Sequence, residues 1–180
     1  WINPQFVTTN RMADSPFYAE VAQMGQRVIE AFDIGTSATH MEWFYGPKGL
    51  RFSEIGARPP GVGAWDLYTA SNDVDVYREW AHVLTHGGPE RSMPRPFAAG
   101  LVALRPDRDG VITGYSGIEE IYGRYGEWII DSHFPNVGHM TQGVEAGYMA
   151  NAYVRMRHPD FDVVRGMLDD VGRTIRVYGG

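Results

Sequence analysis

The stretch TSATHMEWFYGPKGLRFSEIGARPPG, residues 36–61, constrains the fold of this chain more than any other. Residues 36–45 and 50–54 are rich in aromatic and apolar side chains, and Gly46-Pro47-Lys48-Gly49 between them is a strong turn signal. The segment reads as an antiparallel hairpin that carries an acid on each strand, Glu42 and Glu54. Two registers are open. A four-residue loop pairs Tyr45 with Leu50 and sets Glu42 opposite Ser53. A three-residue loop, Pro47-Lys48-Gly49, sets Glu42 opposite Glu54. The second is favoured, because Gly49 then occupies the left-handed position of a bulged turn.

That register has a cost. Side chains directly opposite across a strand pair lie about 5 Å apart at Cβ. Two carboxylates at that spacing repel by roughly 3 kcal/mol at an effective dielectric of 20. A proton, a basic side chain or a metal ion must offset it, unless both acids point into solvent. An oxygen-only donor set without cysteine suits Mg²⁺ better than zinc. Mg²⁺ takes one or two protein carboxylates and fills its shell with water and phosphate oxygens, which points to a nucleotide as the remaining ligand. Arg58, four residues past Glu54, is placed to hold a phosphate or carboxylate, or to form an ion pair with Glu54 or Asp66.

Elsewhere the pattern predicts a mixed chain. Residues 1–14 read as extended, with Phe6-Val7-Thr8-Thr9 prone to strand. Ser15-Pro16 is a helix start, and Phe17, Val21, Met24, Val28 and Phe32 recur on one face as a core-facing stripe ended by Gly35. Arg58-Pro59-Pro60-Gly61-Val62-Gly63 cannot be regular helix or central strand. A second helix is expected over about 75–86, capped by Asp73 or Asp75 and closed by Gly87, and residues 87–96 are the best linker. Short strands are expected near 97–104, 111–114, 127–132 and 148–156. A last helix starts near Pro159-Asp160 with Phe161, Val164, Met167, Leu168 and Val171 on one side, and Thr174–Val177 forms a closing strand. The fold class is α+β, a mainly antiparallel sheet with flanking helices.

Composition narrows the function. A formal charge of −6 argues against a broad nucleic-acid-binding face. With no cysteine, disulfides, thiolate metal sites and cysteine nucleophiles are excluded. No apolar run approaches the ~20 residues of a membrane span. His82 and His86 have helical i, i+4 spacing but no third ligand, and are expected at an exposed helix end. Gly114-Tyr115-Ser116-Gly117 is expected to be a hairpin turn rather than a nucleophile elbow. His133, His139 and His158 are placed in loops. Tyr122, Tyr125 and Trp128 read as packing, and Arg155, Arg157 and His158 as a solvated strand end.

The residues Thr39-His40-Met41-Glu42-Trp43-Phe44, followed by the turn and Phe52-Ser53-Glu54-Ile55-Gly56-Ala57-Arg58-Pro59-Pro60-Gly61, resemble the metal-binding end of an ATP-grasp domain. The likeness extends to the helix before Gly35, to the Asp75-Val76-Tyr77 helix, and to the segment from Ala98-Ala99-Gly100-Leu101 through Gly117-Ile118-Glu119-Glu120. It covers nearly the whole chain, and the C-terminal half of carboxylate–amine ligases acting on amino acids or dipeptides is the nearest group. The resemblance implies Glu42 and Glu54 as ligands to the Mg²⁺ (or Mn²⁺) that carries ATP, Arg58 as the catalytic arginine, and Phe44 beside the adenine. It implies residues 1–92 as the C-terminal lobe of an ATP-grasp domain and 93–180 as a small C-terminal α+β domain.

The implied activity is a cytoplasmic ligase that converts a carboxylate to an acyl phosphate and passes it to an amine, with a homodimer allowed. An ATP-grasp enzyme grips ATP between two lobes, so the expected partner is an N-terminal lobe of the same protein, without which this chain is expected to be inactive. A non-catalytic binding or assembly module and a biotin-dependent carboxylase share the same acids. Two positions depart from the family pattern: Gly56 replaces an asparagine that often adds a metal ligand, and Ser53 replaces an aliphatic residue.

Overall fold

A computed structural model describes residues 3–8, 15–141 and 152–180. Its centre is a four-stranded antiparallel sheet in the order β1 (Gln5–Thr8), β4 (Ala98–Leu104), β7 (Ala152–His158), β6 (Ile129–His133). β4 is buried along its whole length, because helices cover both of its faces. Ala98, Val102 and Leu104 face α5 (Phe161–Thr174), together with Val154 and Met156 of β7. Ala99, Leu101 and Ala103 alternate to the other side and meet Leu67 and Ala70 of α2 (Ala64–Asn72). Gly100 lets α5 approach closely, since a Cβ there would lie 2.5 Å from Leu168 Cδ1 and 3.2 Å from the Phe6 carbonyl. β5 (Ile112–Ser116) and β8 (Arg176–Gly179) form a separate pair. The sheet and its core use residues from both sides of position 92/93.

The other helices are α1 (Pro16–Ala31), α3 (Val76–His86) and α4 (Ile118–Tyr125). Three of the five α-helix starts among the described residues follow the expected chemistry. Pro16 opens α1, and the Asp75 and Asp160 carboxylates cap α3 and α5 by accepting from two backbone N–H groups each. Gly87 closes α3 in the left-handed conformation. α2 and α4 were not legible: each starts at a left-handed glycine, Gly63 or Gly117, without a side-chain cap. Gly114–Gly117 is therefore a strand-to-helix junction and not the expected hairpin turn. β7 supplies the strand expected over 148–156, of which residues 148–151 lie outside the described residues.

Residues 87–96 are irregular as expected but are tied down. The buried Glu79 carboxylate accepts from the N–H groups of Glu90 and Arg91, and the buried Asn72 amide oxygen accepts from Arg95 N–H. Tyr125 and Trp128 are packing residues. The Tyr125 hydroxyl donates to Asp170 at 2.9 Å, and Trp128 meets His158 edge-on at 4.4 Å. His133 and His158 end strands rather than lying in loops; His133 stacks on Tyr153.

Asp170 also takes a 2.6 Å ion pair from Arg124. Burial works against its charge, but the hydrogen bonds from Tyr125 and Arg124 outweigh it and hold the carboxyl below its usual value. A depressed folded-state value means the stabilisation is present above the unfolded value, about 3.9, and is lost as pH falls through the lower folded value. Asp170→Asn should therefore cost about 1–2 kcal/mol at neutral pH and flatten the acid limb of a stability profile below about pH 4. Urea melts across pH check this.

Candidate functional site

The hairpin is β2 (His40–Gly46) and β3 (Gly49–Gly56). Near the turn Tyr45 faces Leu50 and Gly46 faces Gly49, which belongs to the register not favoured from sequence. Gly49 nevertheless has the left-handed φ of 76° that was expected of it. One step further in, Trp43 pairs with Phe52, their rings edge-to-face at 5.4 Å. Ser53 is then left without a partner in a β-bulge, and Glu42 pairs with Glu54. The two acids thus meet through a bulge at Ser53 rather than through a three-residue loop.

The bulge decides which way Glu54 points. Side chains alternate along a strand, so a regular β3 would place Glu54 on the same side as Leu50 and Phe52. That side is apolar. Leu50 is buried, and α1 lies over it with Phe17 against Tyr45 at 4.7 Å and Gly25 beside Met41 and Trp43. An extra residue at position 53 reverses the alternation. Ile55 takes the inner side opposite Met41, and Glu54 joins Glu42, Phe44 and Arg51 on the open side. Glu42 and Glu54 are exposed there, and neither has an ion pair or side-chain hydrogen bond among the described residues. Phe44 shares their face and is 70% exposed. The α1 stripe is a lesser match to expectation: no residue of α1 is fully buried.

Arg58 follows β3 directly. Neither alternative ion pair forms: Asp66 is taken by Arg155 at 3.1 Å, and Glu54 has no basic partner among the described residues. Arg58 instead donates from Nη1 to the Pro59 carbonyl at 2.9 Å, and its side chain folds over Gly56. A Cβ at residue 56 would sit 3.4 Å from Arg58 Cγ, an ordinary contact, so the arginine stem lies beside the place where a third side-chain donor would start. Beyond it, Val62 has φ 50° and Gly63 φ 67°. Left-handed backbone costs a β-branched residue about 1–3 kcal/mol. Glycine removes that strain but loses more chain entropy on folding, about 1 kcal/mol. Val62→Gly should thus raise stability by about 1 kcal/mol, read as a higher urea midpoint.

Among the described residues no group of three or more His, Asp or Glu side chains could by itself hold a metal. Two opposed, unpaired carboxylates on an open face do fit a hard cation whose other ligands are phosphate and water oxygens. His82 and His86 stack in parallel at 4.2 Å, with His82 Nδ1 engaged by the Gly88 carbonyl at 2.9 Å. Among the described residues no helix is long and apolar enough to cross a membrane.

The expected solvated spot at Arg155 and Arg157 is instead built structure. The Arg155 side chain is only 12% exposed and bridges Asp66 and Asp131, while Arg157 pairs with Asp73 and lies over the Phe97 ring. The two arginines and their three aspartates line a cavity of about 700 Å³ with Thr69 and Trp128. Sequence reasoning missed them because the partner acids are distant in the chain.

This architecture, with the acidic hairpin set beside the helix-covered sheet, is the ATP-grasp fold. Among solved structures, the chain is similar to the L-amino acid ligase from Bacillus licheniformis, with a TM-score of 0.79, 12% identity, and coverage of 98% of this chain and 46% of that one. It is also similar to phosphoribosylglycinamide synthetase from Anaerococcus prevotii (TM-score 0.76, 11% identity, 98% and 45% covered). A third is the biotin carboxylase domain of 2-oxoglutarate carboxylase from Hydrogenobacter thermophilus, determined with MgADP and bicarbonate (TM-score 0.66, 14% identity, 97% and 39% covered). At these identities the likeness is one of fold, and the chain spans less than half the length of each. No family model and no curated protein matches the sequence.

Proposed function

We propose that this chain is the C-terminal part of an ATP-dependent carboxylate–amine ligase. Residues 1–92 carry its metal-binding hairpin and 93–180 the accompanying small domain. The observation that carries the proposal is the bulge at Ser53, which turns Glu54 away from the apolar side and sets it beside Glu42 with no protein cation to offset the repulsion. On the open face both carboxylates are available to a single cation, which would offset their mutual repulsion. Glu42 and Glu54 hold Mg²⁺, or Mn²⁺ in its place, and Phe44 lies where it can border the adenine of ATP. The bound ion supplies positive charge to the nucleotide phosphates. Arg58 stays free of carboxylate partners and offers its remaining guanidinium donors to the acyl phosphate or to the oxyanion formed as the amine attacks. A second lobe of the same protein closes the nucleotide site, so the 180 residues alone do not turn over. The substrates are small molecules, and the working compartment is the cytoplasm.

The test is ADP formation by the full-length protein against a panel of carboxylates, amino acids first. ADP release that requires both a carboxylate and Glu54 supports the ligase. Nucleotide binding without ADP release under any carboxylate would favour the non-catalytic module, and release that requires bicarbonate and biotin would favour the carboxylase.

A further inference from the structure

We propose that Arg155 is a positioning residue for Arg58, acting as a strut that fixes the Pro59–Gly63 loop against the central sheet; the inference rests on the ligase reading above. Arg155 projects from β7 toward α2, on the side of the sheet opposite the α5 core. Its Nη1 meets Asp131 Oδ2 at 2.8 Å on the neighbouring strand, where the two residues are register partners. Its Nη2 meets Asp66 Oδ2 at 3.1 Å in the first turn of α2. The guanidinium lies over the Tyr153 ring, 4.7 Å from its centroid. One planar cation thus joins the sheet to the helix that the Arg58 loop feeds.

The contact with the loop itself is closer still. A Cβ on Gly63 would collide with Arg155 Nη2 and lie 3.0 Å from Asp66 Oδ2. Gly63 therefore serves two ends: it accepts the left-handed φ, and it lets the guanidinium press against the backbone. The loop needs such a support, because Val62 and Gly63 are both left-handed and two prolines precede them. Its own hydrogen bonds are few, with Ala64 N–H donating to the Gly61 carbonyl and Leu67 N–H to that of Gly63. Arg155 Nε and Asp131 Oδ1 are buried without partners, so the bridge is held against a desolvation cost. A lysine could not reproduce it, since a point charge lacks the fork that spans two carboxylates.

The test uses Arg155→Ala and Arg155→Lys in the full-length protein, with Glu54→Gln and Arg58→Ala as controls. Amide exchange at residues 61–64 should quicken about tenfold in R155A. With the carboxylate and amine that give the fastest ADP release, kcat should fall at least tenfold while KM for MgATP stays within twofold. Methylguanidinium in solution should restore part of the kcat of R155A, and R155K should restore little. Unchanged exchange at 61–64, unchanged kcat, or a loss of kcat and MgATP affinity together without rescue would overturn the strut. If instead the wild-type protein releases no ADP, or E54Q releases as much as wild type, the ligase reading fails and the positioning role fails with it.

Discussion

Glu54→Gln should weaken Mg²⁺–nucleotide binding to the full-length protein by about 100-fold. At a metal–oxygen distance of about 2.1 Å, one carboxylate charge on a divalent ion is worth about 4 kcal/mol even at the dielectric of water. Water that replaces the lost oxygen recovers part of this, and 100-fold corresponds to about 2.7 kcal/mol. The amide keeps the size and position of the acid on the open face, so the fold should not change. Glu42→Gln should behave alike, since its register partner is Glu54. The double variant should lose less than the sum of the two, because either single substitution already removes the acid–acid repulsion that the cation relieves. Calorimetry with Mg²⁺–ATP, with thermal melts beside it, measures both effects.

Arg58→Ala should lower turnover by a factor of about 100–1000 and leave nucleotide affinity within a few-fold. Among the described residues Arg58 makes one side-chain hydrogen bond, to its neighbour's carbonyl, and no ion pair. Its loss therefore costs the folded state little, and the deficit should appear in kcat. Arg58→Lys should recover only a small part, because a lysine cannot present two donors to two oxygens of one group. Single-turnover measurement of ADP and acyl-product formation separates this from slow product release. An Arg58→Ala protein with normal kcat would remove the arginine from the reaction.

These two residues show where the sequence was informative. The acids and Arg58 could be picked out because they interrupt a short apolar pattern at a turn whose residue types are specific. Helix starts at Pro16, Asp75 and Asp160 were legible for a similar reason, as each depends on one residue within a few positions. The bulge was not legible. Both registers satisfied the turn, and the choice between them was made at Trp43–Phe52 and Met41–Ile55, where packing under α1 admits apolar side chains only. α2 escaped notice because its buried side is Leu67 followed by Ala70, Ser71 and Asn72, which has no helical stripe of large residues. Arg155 was read as solvated because its two carboxylates come from α2 and β6, and only the folded sheet brings them to it.

The central claim is that Glu42 and Glu54 share one cation. Mn²⁺ added with ATP to isotopically labelled protein reports this directly through distance-dependent broadening of amide signals. The account predicts selective loss of the signals around 42 and 54, with Phe44 among them, and no such loss in E42Q/E54Q. Broadening centred on His82 and His86, or spread evenly over the acidic surface, would contradict it.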